Sequence, residues 1–211
     1  MDNEKINVTK TGTCTVGIVC KDGIILAADQ RISGGEGLIM GKIKKIVKLT
    51  ENIVVTTAGN VSDIQYVIRL ARAELELKRV KSKKLPTVKE AANLFASLCY
   101  ENIRKFSTVV GISHFIMGGK DSNGYFLYDI TPDGSVVEEK KFATSGAYGS
   151  IIGLGILDNE FKANSTPEEG KKLAIKVITT AVRRDATVGE GIDIVVIDKI
   201  GVGEIKEEKI A

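Results

Sequence analysis

The chain has 211 residues, 43% hydrophobic and 27% charged, enough for one large domain with a real core and too apolar for a disordered or fibrous chain. Lysine and arginine number 30 against 27 acids, and a net charge of +3 does not by itself imply a nucleic-acid partner. The longest apolar runs, such as Ile24 to Ala28, fall far short of the roughly 18 residues of a bilayer span, and the N-terminal segment carries acids and lacks the apolar stretch of a secretory signal. No membrane partner is expected, and the expected location is cytoplasmic. The three cysteines and single histidine stand in no metal-ligand spacing, so neither a metal nor a cofactor is expected and the thiols read as small buried hydrophobes.

Residues 13–20 and 24–29 are β-rich and are separated by Lys21-Asp22-Gly23, which predicts an opening hairpin. Residues 43–49 and 53–58 repeat the pattern across Glu51-Asn52, so strands precede any helix. From Val61 the period changes: Ile64, Val67, Ile68, Ala71 and Leu75 recur every three or four residues, on one face of a helix. A capping box, Thr87 to Glu90, opens a second helix with Val88, Ala91, Phe95, Leu98 and Cys99 inward. Strand signals return at 112–117, 125–130 and 136–142, the last two joined by the turn Thr131-Pro132-Asp133-Gly134. His114 lies in the first of these and reads as a strand residue with a satisfied imidazole. A short helix is expected over 150–161, and Thr166-Pro167-Glu168-Glu169 opens another with Leu173, Ala174, Val177, Ile178 and Ala181 inward. Strands over 192–198 and 204–209 close the chain.

Strands, two helices, strands, two helices and strands lack the regular alternation of a parallel doubly wound sheet. The expected class is α+β, a four-layer αββα sandwich of two antiparallel sheets between helix layers. No internal repeat or linker divides the chain, so one domain is expected.

The opening strand carries the functional signal. A short polar leader ends in Thr11-Gly12; then come Thr13-Cys14-Thr15-Val16-Gly17 and the hairpin into Ala27-Ala28-Asp29-Gln30-Arg31. Further along stand Gly41-x-x-Lys44-Lys45-Ile46, Thr57-Ala58-Gly59, Ala73 to Leu77 and Arg184-Asp185. Together these closely resemble the proteasome β-subunit family of N-terminal nucleophile hydrolases, over essentially all of the chain after Gly12.

That resemblance implies a leader over residues 1–12, removed by self-cleavage between Gly12 and Thr13, and a single hydrolase domain over 13–211. Physical chemistry agrees with it. A threonine hydroxyl is a poor nucleophile, and cleavage would free an α-amine on the same residue to act as its base. The reference pKa of such an amine, about 7.7 to 8.0, is already near operating pH. By resemblance Lys45 sits beside the nucleophile, Asp29 holds that lysine, Asp185 completes the catalytic set, and Gly59 gives its N–H to the oxyanion. The same resemblance implies that Ile32, Ser33, Ile43, Thr57 and Val61 line the pocket for the residue before the cut bond, an apolar-to-neutral surface from which a hydrophobic preference is expected. Cys14 is a rival nucleophile, but strand alternation turns it to the face opposite Thr13.

The implied function is a threonine endopeptidase subunit of the proteasome core that degrades unfolded polypeptides in an enclosed chamber. Its implied partners are other β subunits in a seven-membered ring, α subunits, and a regulatory unfoldase ATPase reached through the α-ring. Two stretches depart from the family pattern. Ser145-Gly146-Ala147-Tyr148-Gly149-Ser150 replaces a serine-glycine alternation, and Val188 stands where a serine follows Asp185. Both lost hydroxyls would bond the threonine amine or its water, so reduced activity is expected, and the alternative is a weakly active or inactive structural β subunit beside an active paralogue.

Overall fold

The computed structural model describes residues 12–34 and 38–210, so of the expected leader only Gly12 lies within the described residues. In chain order the first elements are β1 (Cys14–Cys20), β2 (Gly23–Asp29), β3 (Arg31–Ser33), β4 (Ile39–Lys42), β5 (Ile46–Lys48) and β6 (Ile53–Gly59). Two helices follow, α1 (Val61–Ser82) and α2 (Val88–Arg104), then β7 (Ser113–Asp121), β8 (Gly124–Ile130), β9 (Val136–Glu139) and β10 (Phe142–Gly146). Last come α3 (Tyr148–Glu160), α4 (Pro167–Arg184), β11 (Ile192–Asp198), β12 (Gly201–Val202) and β13 (Lys206–Glu208).

One sheet runs β10-β1-β2-β11-β12 with β13 also on β11; the other runs β5-β6-β7-β8-β9, and β3 and β4 form a separate ribbon. Each pairing is antiparallel. α1 and α2 cover one sheet through Ile64, Val67, Ala71, Val88 and Phe95, and α3 and α4 cover the other through Leu157, Ala174, Val177 and Ala181. A third core lies between the sheets. It takes Ile24, Leu26 and Ala28 from β2, while the alternate residues Ile25 and Ala27 face the helices. This is why 24–28 is an unbroken apolar run: with both faces covered, every position of the strand is buried. The four layers are those of the αββα sandwich.

The capping boxes are present at both helix starts. Thr87 Oγ1 accepts from the Glu90 N–H at 3.2 Å and Glu90 Oε2 accepts from the Thr87 N–H at 2.9 Å; Thr166 and Glu169 repeat the exchange ahead of α4. Cys99 is buried in the α2 core, and His114 Nε2 lies 2.6 Å from Asp129 Oδ1 on the neighbouring strand. Among the described residues no helix is long and apolar enough to cross a membrane.

The structure differs from the sequence expectation in several places: the β3–β4 ribbon is additional, the closing strand expected over 204–209 is β13 (Lys206–Glu208) preceded by the short β12, and three further differences have a physical reason. Residues 136–142 form two strands instead of one: β9 pairs with β8, and a bend at Lys140-Lys141 carries the chain across to pair β10 with β1. Alternation reports which face a residue uses, not which sheet. Residues 43–45 lie outside the β5 ladder, because Ile43 N–H donates to the Gln30 carbonyl at 2.8 Å and so ties this segment to the end of β2. α3 begins two residues earlier than expected, at Tyr148.

Candidate active site

Thr13 stands at the entry to β1, and the groups that meet it come from both sheets. Antiparallel pairing of Thr15 with Ala28 brings Asp29, the last residue of β2, beside that entry. Its carboxylate is fully buried and accepts four hydrogen bonds. Oδ1 takes the Cys14 N–H at 3.0 Å and Lys45 Nζ at 2.8 Å; Oδ2 takes the Arg31 and Gly189 N–H groups, each at 3.1 Å. A buried carboxylate is stable only when satisfied in this way.

Lys45 enters from the five-stranded sheet. Thr57 of β6 fixes its backbone, donating to the Lys45 carbonyl from its N–H at 2.9 Å and from Oγ1 at 3.2 Å. The Lys45 ammonium then spans Asp29 and Thr13, donating to Thr13 Oγ1 at 3.0 Å. Burial lowers the Lys45 pKa below its ordinary value, with the Asp29 charge opposing. The Thr13 hydroxyl, almost completely buried, donates in turn to the Gly12 carbonyl oxygen at 2.6 Å. The nucleophile candidate is thus held between a cation and the carbonyl of the bond expected to be cut.

Cys14 takes the opposite face, as alternation requires. It packs into the helix-side core with Sγ 3.4 Å from the Gly149 carbonyl oxygen, and burial, reinforced by the Asp29 charge, pushes its thiol up to about 12. Such a thiol stays protonated and inert.

A cavity of about 310 Å³ opens beside Thr13. Ile32, Ser33, Ile43, Thr57, Gly59 and Val61 all line it, together with Gly12, Thr13 and Lys45, so the structure brings the proposed pocket residues to one place. Asp29 lies behind Lys45 instead of on the cavity wall. Asp185, the C-cap of α4, has no hydrogen bond to Thr13; it binds Thr187 through the N–H at 2.9 Å and through the hydroxyl. Thr187 closes on the leader side: a side chain at position 12 would overlap it, and the Gly12 N–H donates to Ser33 Oγ at 3.0 Å. No group of three or more His, Cys, Asp or Glu side chains that could hold a metal occurs among the described residues.

The two departures from the family pattern have distinct structural forms. Val188 is fully buried in the helix-side core near Cys14, and Tyr148 is exposed at the first turn of α3. The serines that remain are engaged elsewhere. Ser145 Oγ lies 2.7 Å from Thr15 Oγ1, to which Thr56 Oγ1 of the other sheet donates at 3.1 Å; Ser150 Oγ donates to the Gly146 and Ala147 carbonyls at 3.0 and 2.7 Å.

Sequence reasoning missed the far end of the cavity. Gln65, Ile68, Arg69 and Arg72 line it from α1, on the face that begins with Val61 and Ile64. Extending the helical spacing from Val61 would have found them.

A family model described as "Proteasome subunit" matches residues 9–197. Curated relatives include "Proteasome subunit beta" of Ferroglobus placidus, 37% identical over 94% of this chain and 92% of the relative. The protein of the same name in Methanosarcina barkeri is 34% identical over 100% of this chain and 96% of its own length. "Proteasome subunit beta 1" of Thermococcus sibiricus is 38% identical over 94% and 93%. With its four layers and near-complete coverage by these relatives, the chain belongs to the proteasome subunit family, among its β subunits.

Proposed function

We propose that this chain is the precursor of a threonine-type endopeptidase subunit, with Thr13 as nucleophile. As a proteasome β subunit it carries a peptidase role and assembles into the core with other subunits. The observation that carries the finer reading is the row Asp29–Lys45–Thr13–Gly12, linked at 2.8, 3.0 and 2.6 Å.

In the first step Thr13 Oγ attacks the Gly12 carbonyl carbon, and its proton passes through solvent to the departing Thr13 nitrogen as the Gly12–Thr13 C–N bond breaks. That break frees the Thr13 amine and leaves the leader as an ester on Oγ; water then hydrolyses the ester, releasing residues 1–12 and restoring the Thr13 hydroxyl. In substrate turnover that amine takes the hydroxyl proton as Oγ attacks a peptide carbonyl and returns it to the leaving amine, and water, giving its proton to the same amine, then cleaves the acyl ester and restores the hydroxyl. Lys45 stabilises the developing alkoxide and, as a neighbouring positive charge, keeps the amine neutral; Asp29 fixes Lys45. Gly59, on the cavity wall, supplies the oxyanion N–H. Asp185 acts through Thr187, a positioning role.

The particle would be a seven-membered β-ring bounded by α subunits, fed with unfolded polypeptides by an unfoldase ATPase, in the cytoplasm. Intact mass of the subunit after assembly with an α partner tests the reading: loss of residues 1–12 supports it, and a retained leader with no modification of Thr13 by a threonine-reactive electrophile leaves the structural-subunit alternative. That alternative is favoured by one observation, the absence of a serine hydroxyl at Val188 and Tyr148.

A further inference from the structure

The cavity beside Thr13 has aliphatic walls, with cations both beside the nucleophile and at its far end. Its walls are Ile32, Ile43, Val47, Val61, Ile64 and Ile68, and no aspartate or glutamate lines it. Five cations do: Arg31, Lys44, Lys45, Arg69 and Arg72. Two of them are already neutralised, Lys45 by Asp29 and Arg31 by Glu190 at 3.2 Å. Arg72 donates to the Lys48 carbonyl at 2.7 Å, which leaves its charge uncompensated, and neither Lys44 nor Arg69 makes an ion pair among the described residues; of these, Arg69 and Arg72 stand on α1 at the far end.

The placement follows from the helix. α1 leaves the Gly59 end of the cavity at Val61, and at 1.5 Å per residue Arg69 lies about 12 Å further along the same face. Long helical side chains lean back toward the N-terminus, which for Arg69 is the direction of Gly59 and Thr13. A substrate side chain entering from Thr13 therefore meets aliphatic walls first and a guanidinium afterwards. Arginine offers a planar fork of donors that matches a carboxylate.

We infer that this pocket selects a side chain with an apolar stem and a terminal carboxylate, so that the subunit cuts after glutamate in preference to neutral or basic residues, with Arg69 as the specificity-determining residue. This rests on the peptidase reading and replaces the hydrophobic preference that the pocket residues legible in sequence imply. Attraction to Arg69 is partly solvent-screened, so the preference weakens as salt rises.

The test uses assembled particles and a peptide series identical except for glutamate, glutamine, leucine or lysine before the cut bond. The glutamate peptide is expected to exceed its isosteric glutamine partner about tenfold in kcat/KM. Arg69→Met, which keeps the stem and removes the charge, should lower that ratio several-fold while Arg72 and Lys44 hold the remainder, and Arg69→Glu should lower it further and raise cleavage after lysine. Equal cleavage of glutamate and glutamine peptides, or a ratio unaltered by Arg69→Met, overturns the inference. Intact mass after treatment with a threonine-reactive electrophile separates the two failures. A Thr13 adduct without glutamate preference leaves the peptidase reading standing and removes the pocket assignment; no adduct and no cleavage removes both.

Discussion

Thr187 occupies the space that a side chain on Gly12 would need. The glycine before the expected cleavage point is therefore set by the close approach of the Thr187 side chain to the leader backbone. Gly12→Ala should push the leader off Thr187 and Ser33 and displace the Gly12 carbonyl from Thr13 Oγ. Processing should slow by about 100-fold, the scale of a 1 Å misplacement, read as the intact-mass time course after assembly. Processing at the normal rate would show that the carbonyl position does not depend on this fit.

Removing the Thr13 hydroxyl tests self-cleavage directly. Thr13→Ala particles should keep residues 1–12 and lose at least about 1,000-fold in peptidase activity. Leader removal in a ring composed only of the alanine variant, with α subunits present, would sink the mechanism.

Lys45 gives a pH signature. Its proton is held less firmly in the folded chain than in the unfolded one, because burial lowers its pKa. The alkaline limb of kcat/KM should therefore begin below the ordinary lysine value of about 10.4. The sign for stability is opposite to that for activity: between the folded and unfolded pKa values the unfolded chain binds more protons, so the Lys45 contribution to stability improves with rising pH. Lys45→Met should abolish turnover and remove both features from the pH profiles of activity and thermal unfolding. A wild-type alkaline limb that begins at or above the ordinary lysine value would exclude Lys45 as its source.

Cys14 adjoins the nucleophile yet should be silent. With its thiol pushed up to about 12 and its side chain fully buried, native particles at pH 7 to 8 should resist maleimide at this position and keep full peptidase activity. Labelling of Cys14 in folded particles with parallel inactivation would contradict the geometry.

The lost serines separate into two cases. Val188 contributes methyl groups to the core beside Cys14, so Val188→Ser should destabilise the subunit by about 1 to 3 kcal/mol without raising turnover. Thr187, whose hydroxyl is bound to Asp185, is the residue through which this loop reaches the leader, and Thr187→Val should lower kcat about tenfold or more. Chemical denaturation and single-turnover kinetics on the two variants distinguish these outcomes; a gain in turnover from Val188→Ser would reverse the assignment.

Much of this was legible before any coordinates. The inward faces of α1, α2 and α4, both capping boxes and the β1–β2 hairpin follow from periodicity and local hydrogen-bond chemistry, which act over a few residues. The convergence of Asp29, Lys45 and Gly59 on Thr13 came from family resemblance, since no local rule brings residues from two sheets together. The crossing at Lys140-Lys141 was illegible because an extended segment looks the same whichever sheet it joins. Arg69 and Arg72 were passed over because exposed arginines on an amphipathic helix read as solvated surface until the cavity beneath them is seen.

The hydroxyls of Thr15, Ser145 and Thr56 form a peg between the sheets, two residues from Thr13. Thr13 leads into one slab, and the Lys45 carbonyl is bonded to Thr57 of the other, so the 3.0 Å contact between their side chains depends on how the slabs sit across one another. A slip of about an ångström would break that contact while every strand ladder stayed paired. Heating should therefore silence the enzyme before circular dichroism records any loss of secondary structure, and replacing Thr56 with valine should widen the gap between the two temperatures.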